Sequence, residues 1–123
     1  IYAGSDVILV PSIFEPCGLT QLISMRYGAL PVVRRTGGLA DSVFDHDDDQ
    51  EKAQAAGMET NGFSFDGQDE AGIAYALVRG LEKCKGDGAW WGRMAARNMQ
   101  QDWSWNRPAL EYIELYWGAA KKS

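Results

Sequence analysis

The sequence is poor in the residues that build disulfide and metal frameworks: 123 residues include two cysteines, Cys17 and Cys84, and one histidine, His46. The cysteines form no C-x-x-C pair and a lone imidazole cannot complete a zinc cluster, so neither scaffold is expected. No N-x-S/T glycosylation acceptor occurs, which with the scarce thiols favours a reduced compartment over secretion. Apolar runs such as Val7-Ile8-Leu9-Val10 fall far short of the ~20 residues a membrane-spanning helix needs. Twelve Lys+Arg against seventeen Asp+Glu leave a net charge of −5, and no basic stripe stands out. No nucleic-acid partner and no anionic membrane partner are therefore expected. The G-x-S-x-G elbow, the G-x-G-x-x-G fingerprint and the G-x-x-x-x-G-K-[ST] loop are all missing. An initiator Met and a signal-peptide pattern are missing too, so the sequence reads as a fragment of a longer chain.

What is present suits one globular core, with 46% apolar and 24% charged residues. Val7 to Val10 is a continuous β-branched and Leu run, the pattern of a parallel strand buried on both faces. Leu19, Leu22, Ile23 and Tyr27 then recur at helical spacing, and Gly28 supplies a stop. Pro31-Val32-Val33 reads as a second strand and Leu39 to Val43 as a short helix, so the order implies a parallel α/β layer. Between Phe44 and Asn61 the pattern dissolves into what looks like a long surface loop, and Gly62 to Phe65 alternates like one more strand. Three helices follow. Ile73, Leu77, Leu81 and Cys84 mark the first; Trp91, Met94, Ala95, Asn98 and Met99 the second, with Asp87 as a cap. The third runs from about Trp105 to Ala120, with Ala109, Tyr112, Ile113, Tyr116 and Ala120 on one face. Residues 1–65 form an α/β portion and 66–123 a helical portion.

The segment Ser12-Ile13-Phe14-Glu15-Pro16-Cys17-Gly18-Leu19-Thr20-Gln21 places a carboxylate, a thiol and a glycine between the carboxyl end of a strand and a helix start. Open α/β sheets hold their ligands at that position. Unpaired amides at Leu19 and Thr20 would suit phosphate oxygens, with Gly18 allowing close approach. The plain alternative is that Gly18 merely starts a helix and Glu15 sits in a solvated loop. Thr36-Gly37-Gly38 repeats the arrangement after the second strand, where a plain turn explains the glycines equally well. The acidic run Asp45-His46-Asp47-Asp48-Asp49 lacks the glycine and distal Glu of a calcium loop and reads as a solvated loop, with no metal. Trp90, Trp91, Trp103, Trp105 and Trp117 fall largely at helix-packing spacing, which favours burial in a core or interface over sugar stacking.

Residues 1–45 resemble the C-terminal half of the glycogen and starch synthases, above all over Pro11 to Gln21 and Arg34-Arg35-Thr36-Gly37-Gly38-Leu39-Ala40-Asp41-Ser42-Val43. The likeness continues through Asn61 to Phe65 and weakens toward Asp102-Trp103-Ser104-Trp105. Asp41 to Asp45 followed by Asp47-Asp48-Asp49 is closest in look to the plant and algal soluble starch synthases of types III and IV. The resemblance implies a retaining glycosyltransferase of GT-B architecture and a partial Rossmann-like C-terminal domain that binds the nucleotide-sugar. It further implies ADP-glucose as donor, the non-reducing end of an α-1,4-glucan as acceptor, and no cofactor. It implies Glu15 as the catalytic carboxylate, in contact with the donor glucose. Donor binding would fall to Cys17, to the amides of Gly18, Leu19 and Thr20 at the diphosphate, and to the Thr36-Gly37-Gly38 loop. Related transferases carry a second Glu eight positions after the first; Ile23 stands there in this chain, which argues against paired carboxylates. The family's remaining phosphate-gripping residues and its N-terminal GT-B domain would lie upstream of Ile1, so the fragment alone is expected to be inactive. A plastid location follows from the plant and algal likeness, with a bacterial cytoplasm as alternative. Two other readings remain: a noncatalytic glucan- or protein-binding module using the Trp-rich helices, and another retaining nucleotide-sugar glycosyltransferase.

Overall fold

Short β-branched runs build the sheet and longer amphipathic segments cover it. The computed structural model describes residues 1–121. Its elements are β1 (Val7–Val10), α1 (Thr20–Arg26), β2 (Leu30–Arg34), α2 (Gly37–Ser42), α3 (Gln50–Ala55), β3 (Phe63–Phe65), α4 (Glu70–Gly86), α5 (Gly88–Gln100) and α6 (Asn106–Ala120). The sheet is parallel, in the order β1-β2-β3, with Val7 opposite Leu30 and Val32 opposite Phe63. Pro31 is tolerated in the central strand because the β3 ladder begins one residue later, so its missing N–H falls at the ladder's mouth.

Strand alternation divides the core between the two faces of β2. Leu30 and Val32 meet Phe63, Phe65, Ala76, Trp91 and Met94 beneath α4 and α5, while Val33 packs with Val10, Leu39 and Val43 on the α2 side. Asp69 and Asp87 cap α4 and α5 by accepting hydrogen bonds from the amides of Gly72 and Trp90. Asp87 thus serves as the sequence predicts. At the end of α1 the amides of Ala29 and Gly28 bond back to the carbonyls of Ser24 and Met25, a Schellman stop that reverses the chain into β2.

Five sequence expectations need correction. β1 is an edge strand with Leu9 exposed, because only β2 pairs with it. In α1 the periodic residues Leu19, Ile23 and Tyr27 face outward, and Gln21, Ser24 and Met25 are the buried ones. Residues 44–61 are no simple surface loop: they contain α3, and Phe44, Asp45, Ala53 and Asn61 are buried. The helix expected from Trp105 to Ala120, α6, has no buried residue, so among the described residues the face from Ala109 to Tyr116 is left uncovered. Trp91 joins the core and Trp90 packs beside it, but Trp103, Trp105 and Trp117 are exposed.

The acidic run carries structure. Asp45 is fully buried and faces Arg79 of α4 in a bidentate pair, Nη1 to Oδ1 and Nη2 to Oδ2, both 2.9 Å. The Ser64 amide and hydroxyl, at 2.5 and 3.1 Å, and the Asp47 amide, at 2.9 Å, also donate to its carboxylate. Burial by itself pushes the Asp45 carboxyl up, but the Arg79 contact and these donors outweigh it and hold the carboxyl below its ordinary range. The Arg79 guanidinium also lies 4.2 Å from the Tyr75 ring centroid. One ion pair thus joins α4, β3 and the segment after α2.

Replacing Arg79 with Met should destabilise the full-length protein by about 3–5 kcal/mol, because Asp45 would stay buried without its cation. Asp45 is ionised in the fold at pH values where the unfolded chain already binds a proton. Its contribution is therefore complete above the unfolded carboxyl value of ~4 and is lost as pH falls through the folded value. Urea unfolding at neutral and acidic pH should show the stability gap between wild type and Asp45→Asn closing in acid; a constant gap would refute this assignment.

Candidate active site

Pro11 ends β1, and the loop after it carries Glu15 along the rim formed by the carboxyl ends of the parallel strands. Glu15 is half-buried, and its Oε2 lies 3.5 Å from the Ser12 hydroxyl. Cys17 is an exposed free thiol. Gly18 has φ +73°, and a side chain there would press on Gln21 and on Glu15 Cγ, so the turn into α1 needs a residue without Cβ. Leu19 is the N-cap of α1, provides no side-chain cap, and accepts the helix's first backbone bond from Ile23 at 2.9 Å. The amides at Thr20 and the next two positions precede that bond and have no helical acceptor. Glu15 and these amides occupy one end of α1.

Thr36, Gly37 and Gly38 reach the same rim from β2. Thr36 is the N-cap of α2, but its side chain makes no capping bond. The Gly38 amide donates to the Glu15 carbonyl at 3.0 Å. A Cβ on Gly37 would collide with that carbonyl, and one on Gly38 would collide with the carbonyl of Cys17. The two loops therefore touch backbone to backbone, an approach closed to residues with side chains. All eight sequence-nominated residues, Glu15, Cys17, Gly18, Leu19, Thr20, Thr36, Gly37 and Gly38, lie on these two adjoining loops or in the first turns of the helices they enter.

Sequence reasoning passed over the residues that hold the loops. Gln21 is fully buried, and its Nε2 is shared among the Gly18 carbonyl at 3.0 Å, the Cys17 carbonyl at 3.4 Å and Ser42 Oγ at 3.0 Å. Ser42 in turn donates to the Gly38 carbonyl at 2.6 Å, linking α2 to α1 beneath both glycine turns. Hydrophobic periodicity carries no signal for Gln21, which lies off the stripe of Leu19, Leu22, Ile23 and Tyr27. Arg34, at the end of β2, donates to the Ile13 carbonyl at 2.6 Å.

The rim is open. Ile13, Phe14 and Leu19 around it are 71%, 74% and 63% exposed. A groove of about 620 Å³ runs between Gly57–Glu59 and the start of α6. None of the residues nominated from the sequence lines it, so it is not the Glu15 site. His46 does not join the rim either: it packs edge-on against Trp90, with centroids 4.5 Å apart, and burial pushes its pKa down. Among the described residues no group of three or more His, Cys, Asp or Glu could hold a metal ion, and no helix is long and apolar enough to cross a membrane.

No family model matches the sequence. Starch synthase 3, chloroplastic/amyloplastic, of Arabidopsis thaliana is 64% identical over 121 residues, covering 98% of this chain and 12% of the relative. Glycogen synthase of Geotalea daltonii is 53% identical over 116 residues, covering 94% of this chain and 22% of the relative. Among solved structures, the catalytic domain of Starch Synthase IV from Arabidopsis thaliana bound to ADP and acarbose matches with a TM-score of 0.84 at 52% identity, covering 94% of this chain and 23% of that chain. The chain thus spans less than a quarter of each of these proteins. Its sheet and helices are an α/β piece of the GT-B catalytic architecture.

Gly38→Ala should push the Cys17 loop off the α2 turn. Overpacking of this kind costs about 1–3 kcal/mol. Urea denaturation of the full-length protein, with amide exchange over residues 15–19, should show lower stability and faster local exchange; unchanged values on both would mean that the loops do not need this contact.

Proposed function

The chain belongs to the starch and glycogen synthase family, and from that membership we propose that it is part of the nucleotide-sugar site of a retaining glucosyltransferase. The reaction is transfer of glucose from ADP-glucose to the non-reducing end of an α-1,4-glucan. The observation that carries this reading is the Glu15 carboxylate at the same end of α1 as uncapped amides, with the Gly38 amide bonded to its own carbonyl.

Breaking the donor's anomeric bond leaves positive charge on the sugar carbon and negative charge on departing ADP. In this proposal Glu15 orients the sugar hydroxyls and faces the positive charge. The amides of Gly18, Leu19 and Thr20 receive the diphosphate, where helix-start N–H groups favour negative charge. Cys17 lines the sugar pocket, and Thr36, Gly37 and Gly38 flank the donor. The reaction so drawn uses no cofactor, because ADP-glucose is a substrate and the amides meet the leaving charge. Attack from the face the nucleotide leaves gives retention without a covalent intermediate, consistent with Ile23 standing where a second carboxylate would be. The acceptor and the opposing wall of the cleft would be supplied by an N-terminal GT-B domain in a longer protein, which fits the small share of each relative that the chain spans. The plant relative is chloroplastic/amyloplastic by name, which supports a plastid location, and the bacterial relative keeps a bacterial cytoplasm as alternative.

The exposed Trp103, Trp105 and Trp117 favour a second reading, a noncatalytic glucan- or protein-binding module. Starch-granule pull-down separates the two, since a binding module retains glucan without the upstream domain. Donor competition between ADP-glucose and UDP-glucose separates the proposed enzyme from other retaining nucleotide-sugar transferases.

In the full-length protein, Glu15→Ala should lower kcat for glucose transfer by at least ~10³-fold, the scale of removing a group that stabilises transition-state charge. Its melting temperature should stay close to wild type. Transfer at wild-type rate by that variant would refute the role of Glu15. The isolated 123-residue chain should transfer no glucose from ADP-glucose to glycogen or amylopectin, as followed by radiolabel incorporation.

A further inference from the structure

Arg34 is the last residue of β2, the strand whose carboxyl end adjoins the Glu15 loop. Its Nη1 donates to the Ile13 carbonyl at 2.6 Å and lies 3.5 Å from the Ser12 carbonyl. Its Nε is shielded from solvent and has no partner, and no carboxylate pairs with the guanidinium among the described residues. The contrast with its neighbour is sharp: Arg35 reaches Asp48, Asp49 and Asp66 at 3.3, 3.9 and 3.7 Å. A cation held by neutral carbonyls while acids lie one residue away is doing something other than neutralising charge. Those carbonyls belong to the limb of chain from which Glu15 hangs, and the Ser12 hydroxyl on the same limb faces the Glu15 carboxylate.

We propose that Arg34 is a positioning residue of the glucosyl-transfer site: by gripping the Ser12 and Ile13 carbonyls it fixes the Glu15 carboxylate against the first turn of α1. The inference rests on the reaction proposed above. The loop has three fastenings. Among the described residues Gly38 holds the Glu15 backbone, Gln21 holds Cys17 and Gly18, and Arg34 holds the incoming limb. Both contacts come from one nitrogen, Nη1, and the rigid planar guanidinium holds that nitrogen in a fixed place, whereas an ammonium offers a point charge on a flexible stem. Without that grip the limb can swing about Pro11, and a carboxylate displaced by about 1 Å loses rate on the order of 10²-fold.

The test uses the full-length protein with Arg34→Ala and Arg34→Lys, measuring initial rates with ADP-glucose and glucan, melting temperature, and amide exchange across residues 11–19 and across α4. For Arg34→Ala, kcat should fall about 10- to 100-fold, the KM for glucan should hold, and exchange should quicken at 11–19 but not in α4. Millimolar guanidinium should restore part of the lost rate, which a purely structural defect would not allow. Arg34→Lys should lie between Ala and wild type. Wild-type kcat in Arg34→Ala, or unchanged exchange at 11–19, overturns the proposal. If Arg34→Ala unfolds the domain, Arg34→Lys decides, and wild-type kcat in that variant overturns the proposal too. Wild-type protein inert toward ADP-glucose would instead sink the proposed reaction, and the loop's exchange would then decide the grip by itself.

Discussion

A single backbone contact, the Gly38 amide on the Glu15 carbonyl, sets the geometry of the rim. It joins loops from two neighbouring parallel strands, so the spacing of β1 and β2 becomes the spacing of the loops. The contact exists only because Gly37 and Gly38 bring no Cβ against the carbonyls of Glu15 and Cys17. Two features that look separate in sequence, an acid-bearing loop and a glycine pair about twenty residues on, thereby become one surface. Gln21 and Ser42 secure it from below, which lets the upper side stay open to a ligand.

In the proposed function that upper side is one wall of a cleft. Ile13, Phe14 and Leu19 stand exposed around the carboxylate, Leu9 lies on an unpaired strand edge, and α6 shows Leu115, Tyr116 and Trp117 to solvent. So much exposed apolar surface is unusual for a self-sufficient unit. It accords with a chain that spans less than a quarter of its relatives. A site shared between two walls is flat when one wall is seen by itself.

The sequence made the elements legible because each follows a local rule: β-branched runs for β1 and β2, helical spacing for α4 and α5, a capping Asp before α5. The site loops were legible by motif, and all the nominated residues share one rim. What stayed hidden depended on distant partners. Asp45 reads as one acid among several in a solvated run, and only the arrival of Arg79, thirty-four residues on, makes it a buried anchor. The burial of Gln21 is invisible to hydrophobic periodicity, which assigns the inward face of α1 to Leu19, Leu22, Ile23 and Tyr27. Its inward face is partly polar because it must satisfy the carbonyls of the loop above.

Arg34 and Arg35 show how one strand end serves both tasks. Adjacent residues of a strand point to opposite faces, so two like residues in sequence enter unlike surroundings. Arg35 shares a face with Ser64, to which its Nε donates at 2.7 Å, and joins the acidic segment that Asp45 fastens to α4. Arg34 turns to the Glu15 loop and gives one nitrogen, Nη1, to its carbonyls. The ionic side fixes where β3 and α4 sit, with acids supplying full countercharge. The rim side leaves its polar groups partly unmatched, which suits the proposed reaction, since a carboxylate already neutralised by a protein cation would have less to offer a developing positive charge. Fastening the loop through backbone carbonyls holds Glu15 in place without quenching it.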